Sequence, residues 1–148
     1  MIKDILSSTA EVKVRFSEVD SMGIVWHGHY VKYMEEGREV FGNEYGISYL
    51  DIKANGFMAP LVSLDFSYKK PLRYGDTVIV EIRYTDSDSA KIIFDYKLYR
   101  KSDGELVATG HSVQVFLDMD GELILTFPKF VEEWKKRWGV NKIAEASR

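Results

Sequence analysis

Asp20, Gly23 and His27 lead into the chain's most helix-like run, Val31 to Tyr45, and their types and spacing suit chemistry at a carbonyl carbon. A carboxylate can attack or take a proton, Gly23 lets the backbone turn, and Gly28 is a small-residue break where the helix begins. A helix start presents N–H groups without intrahelical partners at the positive end of the dipole. An acyl oxygen that becomes negative during reaction would be stabilised there while the carboxylate acts beside it. The bland alternative is that Asp20 is a turn or cap residue, since an isolated Asp-x-x-Gly is a common turn.

Other polar residues carry weaker signals. His27 and His29 lie two apart and His111 far downstream, a spacing short of a metal-ligand set, so no metal site is assigned. His27 has either a hydrogen-bonding or acid–base role or a structural one. His111 shares strand parity with Val113 and Val115 and reads as a satisfied core or interface histidine. Glu35, about two turns beyond His27, is placed either to orient water or the acyl group or to pair with Arg38.

These residues need a scaffold. Glu11 to Phe16 alternates strictly, with Val12, Val14 and Phe16 on one face, and predicts the first strand. From Tyr30 to Tyr45, Tyr30, Met34, Gly37, Phe41 and Tyr45 recur at helical spacing, opposite Lys32, Glu35, Glu36, Arg38, Glu39 and Asn43. That helix is roughly 24 Å long, enough to cross a sheet. Gly37 at its middle predicts a close approach to another backbone, and Gly46 a stop. Residues 47–57 predict only a short helical turn or loop. Alternating runs follow at Val62–Tyr68, Val78–Tyr84, Ile92–Tyr99 and Leu106–Leu117, separated by Pro71, Gly75-Asp76, Asp86–Ser89 and Asp103-Gly104. Gly110 interrupts the last run and predicts a bulge or a close backbone approach. Phe127-Pro128 to Gly139, with Phe130, Trp134 and Trp138 four apart, predicts a C-terminal helix. The expected class is α+β: an antiparallel five-stranded sheet wrapped around a long central helix, with a C-terminal helix.

Composition bounds the function. The 148 residues make one domain, 1–148, of ordinary globular character, with 45% hydrophobic and 29% charged residues. A net charge of −3 argues against a general nucleic-acid partner. Without cysteine there is neither disulfide nor thiolate metal site. Met1 to Ser7 lacks the apolar core of a leader, and no long apolar run predicts a membrane span, so the expected location is cytoplasmic.

Asp20-x-x-Gly23-Ile-Val-Trp-His27-x-x-Tyr30, then a helix with Glu35 and Arg38, then Lys70-Pro71-Leu-Arg-Tyr-Gly75-Asp76, resembles the hydroxybenzoyl-CoA thioesterase-like branch of the hotdog-fold acyl-CoA thioesterases. The likeness runs from about Val12 to about Trp134. It implies that Asp20 is the catalytic aspartate, as nucleophile or general base, and that the backbone N–H of His27 polarises the thioester carbonyl. It also implies a homodimer joined sheet edge to sheet edge, commonly paired again into a homotetramer, with the acyl-CoA across the subunit boundary. No separate cofactor is implied, because CoA is part of the substrate. Where one branch has a basic cluster before the third long strand, this chain has Asp86-Ser-Asp88-Ser-Ala. Lys69, Lys70, Arg73 and Lys91, with Arg100 and Lys101, are the candidates for the nucleotide phosphates.

The expected activity is therefore hydrolysis of an acyl-CoA to CoA and a carboxylic acid. The alternative from another class is a non-catalytic acyl-CoA or acyl-carrier-protein binding module of the same fold. A hydratase or dehydratase lacks its acid-and-histidine signature here.

Overall fold

The computed structural model describes residues 6–140, so most of the amino-terminal stretch read above for a leader lies outside the described residues. Five long strands form one antiparallel sheet: β1 (Ser7–Lys13), β3 (Leu61–Tyr68), β4 (Thr77–Thr85), β5 (Lys91–Arg100) and β6 (Leu106–Asp118). They run in the order β1-β4-β5-β6-β3, so β3 pairs through β6 alone and leaves its other side open. Two-residue strands β2 (Phe57–Met58) and β7 (Leu123–Ile124) pair with the far end of β6. They are too short for any periodicity to announce them.

Alternation decides which face is covered. Val78, Val80, Ile82 and Tyr84 of β4 and Ile92, Phe94, Tyr96 and Leu98 of β5 are buried, as their parity predicts. Helix α1 (Tyr30–Tyr45) lies on this face and buries Tyr33, Met34, Gly37, Phe41 and Tyr45. Gly37 makes that contact possible, because a Cβ there would come within 2.7 Å of Val80 Cγ1. The stop at Gly46 is also present, with φ of 73° and its N–H on the Gly42 carbonyl. A short helix, α2 (Tyr49–Ala54), follows, capped by Ser48, which accepts from the Asp51 N–H while Asp51 bonds back.

The C-terminal helix α3 (Lys129–Arg137) clamps the end of α1. The indoles of Trp134 and Trp138 both donate to the Tyr45 carbonyl, at 2.7 and 2.9 Å. Lys135 is buried on the same helix, with its ammonium 2.7 Å from Asp86 and 3.7 Å from the centre of the Phe127 ring.

Three expectations are corrected. The first strand begins earlier and ends earlier than Glu11–Phe16, because pairing with β4 ends at Lys13 opposite Thr77. Phe16 sits in the 3₁₀ turn Phe16–Glu18, 75% exposed and edge-on to Tyr74, because the chain must turn there to reach the loop beyond. His111 is satisfied but not in the core: its parity is that of the outer face, where its Nδ1 lies 2.8 Å from Asp95 Oδ1. The inner face of β6 is carried instead by Ala108, Gly110, Ser112 and Phe116. Gly110 shows no bulge; the Phe66 ring lies across it, within 2.8 Å of where a Cβ would be. The register shifts fall at Leu61/Ser63 and Leu98/Tyr99.

Gly37→Val should destabilise the fold by about 1–3 kcal/mol through overpacking against Val80, measured by urea unfolding. Burial raises the phenols of Tyr33, Tyr84 and Tyr96 above 10.0, that of Tyr96 to about 12. Groups held protonated by folding stabilise fully below the unfolded value and lose that contribution as pH rises through the folded one. Burial moves Arg38 the opposite way, down to about 10, one group against the several buried phenols. The urea midpoint should therefore fall as pH climbs from about 10 toward 12, with the part of the phenolate absorbance that belongs to the buried tyrosines appearing together with unfolding.

Candidate functional site

Beyond the Phe16–Glu18 turn, the chain folds back on itself in a tight loop. Val19 bridges Val25, Asp20 N–H donates to the Ile24 carbonyl at 2.8 Å, and Gly23 N–H donates to the Asp20 carbonyl at 3.0 Å. Gly23 takes φ of 76°, with nothing within 4 Å of a Cβ position, so the loop needs glycine for its dihedral rather than for space. Asp20 Oδ1 accepts the Met22 N–H at 2.8 Å, so one oxygen does serve the turn. Among the described residues the other carboxylate oxygen carries no protein hydrogen bond, and the side chain is half-buried.

The 3₁₀ turn His27–His29 runs directly into α1. Trp26, at its N-cap, provides no side-chain acceptor. The Trp26 carbonyl accepts the His29 N–H at 2.9 Å and so points along the helix; the trans peptide turns the His27 N–H the opposite way, out of the helix start. Tyr68, the last residue of β3, donates its hydroxyl to the His27 carbonyl at 3.0 Å and stands edge-on to Tyr30, 4.9 Å between centroids. The Trp26 indole packs on both imidazoles, at 4.9 and 5.3 Å, and overlies Gly28, where a Cβ would collide with the ring.

Loop and helix start open into one cleft of about 400 Å³, lined by Asp20, Met22, Ile24, Val25, His27, Tyr30, Tyr68, Lys69, Lys70 and Pro71. Burial, then the neighbouring Tyr68, raises the Tyr30 phenol above its ordinary value, keeping it protonated at neutral pH. The cleft thus combines a carboxylate oxygen, an outward N–H and two cations on exposed residues. That set can activate water or attack a carbonyl, and can hold an oxyanion.

Not every candidate joins it. Arg73 sits just outside, bridged to Ile24, with its N–H on Asp76. Lys91 begins β5, whereas the cleft borders Tyr68, in register with Ala108 and Leu98; seven residues of strand, roughly 23 Å, separate them within one protomer. Glu35 is exposed and lines other cavities, not this one.

Arg38 neither pairs with Glu35 nor faces solvent, correcting its assignment to the polar side of α1. Its Nε donates to Gln114 Oε1 and its Nη2 to the Ile47 carbonyl, both at 2.9 Å, and its guanidinium lies 5.0 Å from the centre of the Phe94 ring. Five donors on a long stem let it reach the carbonyl beyond the helix end, and Gly42 leaves room for it. Arg38 also lines a second cavity, about 420 Å³, with Met34, Ile52, Leu61, Tyr96 and Gln114.

Sequence reasoning missed Tyr68 and Glu18. Tyr68 is visible in the sequence only as the end of the alternating run Val62–Tyr68, and strand parity says nothing of a hydroxyl. Glu18 is 5% exposed and bonded to the Tyr33 hydroxyl at 2.9 Å. Its position two residues before Asp20, outside both strand and helix, left no periodicity that could have flagged it.

The comparisons with known proteins agree on the family. The thioesterase-like superfamily matches residues 14–135. The Bacillus subtilis protein named "Putative acyl-CoA thioesterase YneP" is 35% identical over 127 residues, covering 86% of this chain and 91% of that one. The chloroplastic acyl-acyl carrier protein thioesterase ATL3 of Arabidopsis thaliana is 30% identical over 73% of this chain and 57% of its own length. Among solved structures, a DHNA-CoA thioesterase from Staphylococcus aureus superposes with a TM-score of 0.80 at 27% identity, covering 92% of this chain and 93% of that one. A helix wrapped by an antiparallel sheet, a carboxylate loop at the helix start and a family match over most of the length lead to one conclusion: the chain belongs to the thioesterase-like superfamily, as a thioester hydrolase of hotdog fold.

Proposed function

We propose that this protein hydrolyses acyl-CoA thioesters, releasing CoA and a carboxylic acid, with Asp20 as nucleophile or general base and the His27 N–H as oxyanion donor. The observation that carries the reading is the opening of the Asp20 carboxylate and the His27 helix start into one cleft. As a base, Asp20 takes a proton from water as the oxygen attacks the thioester carbon. The carbonyl oxygen becomes an oxyanion facing the His27 N–H, and collapse expels the CoA thiolate. As a nucleophile, Asp20 displaces the thiolate to form a mixed anhydride, which water then opens. Thioesters are activated enough for either course without a metal. Lys69 and Lys70, on the cleft's lining, are suited to the phosphates of CoA.

The protein acts as a homodimer through the free edge of β3. Leu61, Val62 and Tyr68 leave that edge 44, 58 and 50% exposed, an apolar strand edge that a second copy would cover. Antiparallel pairing of two β3 strands reverses their ends, so the Tyr68 end of one protomer meets the Leu61 end of its partner. The Asp20 cleft then lies toward the partner's Arg38-lined cavity, which has room for the acyl group.

Purified protein should release thiol from at least one of a panel of short, medium, long and aryl acyl-CoAs. Asp20→Asn should lower kcat about 10²-fold or more, the scale of a lost acid–base group; full activity in that variant would end the mechanism. Val62→Lys should shift the species seen by light scattering to monomer and reduce thiol release with it. A dimer unchanged by that substitution would exclude this edge as the interface.

A further inference from the structure

Glu18 is a buried acid that the chemistry above does not use. Its Oε1 accepts the Arg15 N–H at 2.8 Å and the Tyr33 hydroxyl at 2.9 Å, and its carbonyl accepts the Trp26 N–H at 3.0 Å. One residue therefore holds three segments together: the exit from β1, the far arm of the Asp20 loop, and α1. Asp20 lies two residues after it, and Trp26 immediately precedes His27. Tyr33 is fully buried one turn into α1, its ring 5.8 Å from that of Tyr30, which lines the cleft. Neither Glu18 nor Tyr33 lines the cleft itself.

The other ties at this end go elsewhere. Val25 N–H donates to the Leu72 carbonyl and Ile24 bridges Arg73, fixing the loop to the β3–β4 connection. Tyr68 fixes the helix start to β3. Among the described residues, the Glu18–Tyr33 bond is the side-chain hydrogen bond that joins the loop segment to α1 directly. Both residues are buried at the floor of a polar cavity that Arg15, Lys32 and Glu36 also line, and either partner is costly to leave alone.

We propose that Glu18 and Tyr33 are positioning residues for the hydrolysis, a buried carboxylate–phenol tie that sets the Asp20 carboxylate against the His27 N–H at the turn into α1. This rests on the role assigned to Asp20 above. A displacement of about 1 Å between reacting groups costs on the order of 10²-fold in rate, so the tie acts on turnover while contributing no atom to the reaction.

The test uses the full chain with an acyl-CoA that the wild type turns over, and compares Glu18→Ala, Glu18→Gln, Tyr33→Phe and the double variant Glu18→Ala/Tyr33→Phe. Tyr33→Phe and Glu18→Ala should each lower kcat roughly 10- to 10²-fold, with KM within about twofold of wild type. Glu18→Gln keeps an acceptor for both donors and should stay within about threefold of wild-type kcat. The double variant should be no slower than the slower single one, because both remove one tie. Tyr33→Phe preserves the ring and decides the matter if Glu18→Ala does not fold. Wild-type kcat in folded Tyr33→Phe, a Gln variant as slow as the Ala one, or losses that multiply would each overturn the proposal. Asp20→Asn runs beside them: its full activity would remove the functional reading, whereas an inactive Asp20→Asn beside an unaffected Tyr33→Phe would remove only this inference.

Discussion

Every helix begins with N–H groups that nothing in its own backbone can satisfy, and most chains spend a Ser, Thr, Asp or Asn side chain on them. Here the residue before the first turn is Trp26, which has no acceptor to give. The Tyr30 and His29 N–H groups are taken up inside the 3₁₀ turn, so the donor left without a side-chain cap is the His27 N–H at its head, and the half-buried Asp20 carboxylate lines the same cleft. A helix start left open next to an anion is the arrangement on which the rest of the molecule depends. The sheet, the loop and the two further helices hold α1 where its first turn meets the cleft.

That hold is strongest far from the cleft. At the C-terminal end of α1, Gly46 donates to Gly42, two indoles converge on the Tyr45 carbonyl, and Arg38 reaches the Ile47 carbonyl just past the helix. Lys135, buried against Asp86 and Phe127, fixes α3 in turn. Its burial is tolerable because the ammonium meets both a carboxylate and an aromatic face; removing either partner would leave an expensive charge.

Much of this was legible in the sequence because it follows from period. The α1 bounds, the faces of β4 and β5, the Gly46 stop and the Trp134/Trp138 stripe are repeats of 3.6 or 2 with ordinary punctuation. Asp20 was singled out by its motif; its turn reading is seen in the Met22 N–H on Oδ1, and the residue also lines the cleft that the proposed chemistry needs. Illegible were the choices that depend on what a side chain can reach. Arg38 occupies a polar position on the helical wheel yet folds inward, since a guanidinium can satisfy several buried acceptors at once. His111 followed the correct parity, but parity does not say which face is covered when the inner residues are as small as Gly110 and Ser112. Phe16 continued an alternation that the backbone had already abandoned for a turn.

The unequal treatment of the two ends of α1 has an electrostatic consequence. The Tyr45 and Gly42 carbonyls at its C-terminal end are met by indole and amide donors, so the negative end of the dipole is met within the fold. Among the described residues no side chain caps the positive end, where the cleft is bordered by the Asp20 loop and by Tyr30 and Tyr68. Trp26 and Tyr68 are about half exposed and Tyr68 borders the open cleft, so this end of the dipole, which favours negative charge, is reachable from it. Two negative charges are then candidates for one positive end: the resting carboxylate and the oxyanion that forms during reaction. In the proposed mechanism the Met22 N–H bonded to Asp20 Oδ1 gives the carboxylate a donor of its own, which would leave the His27 N–H for the oxygen whose charge appears only in the transition state.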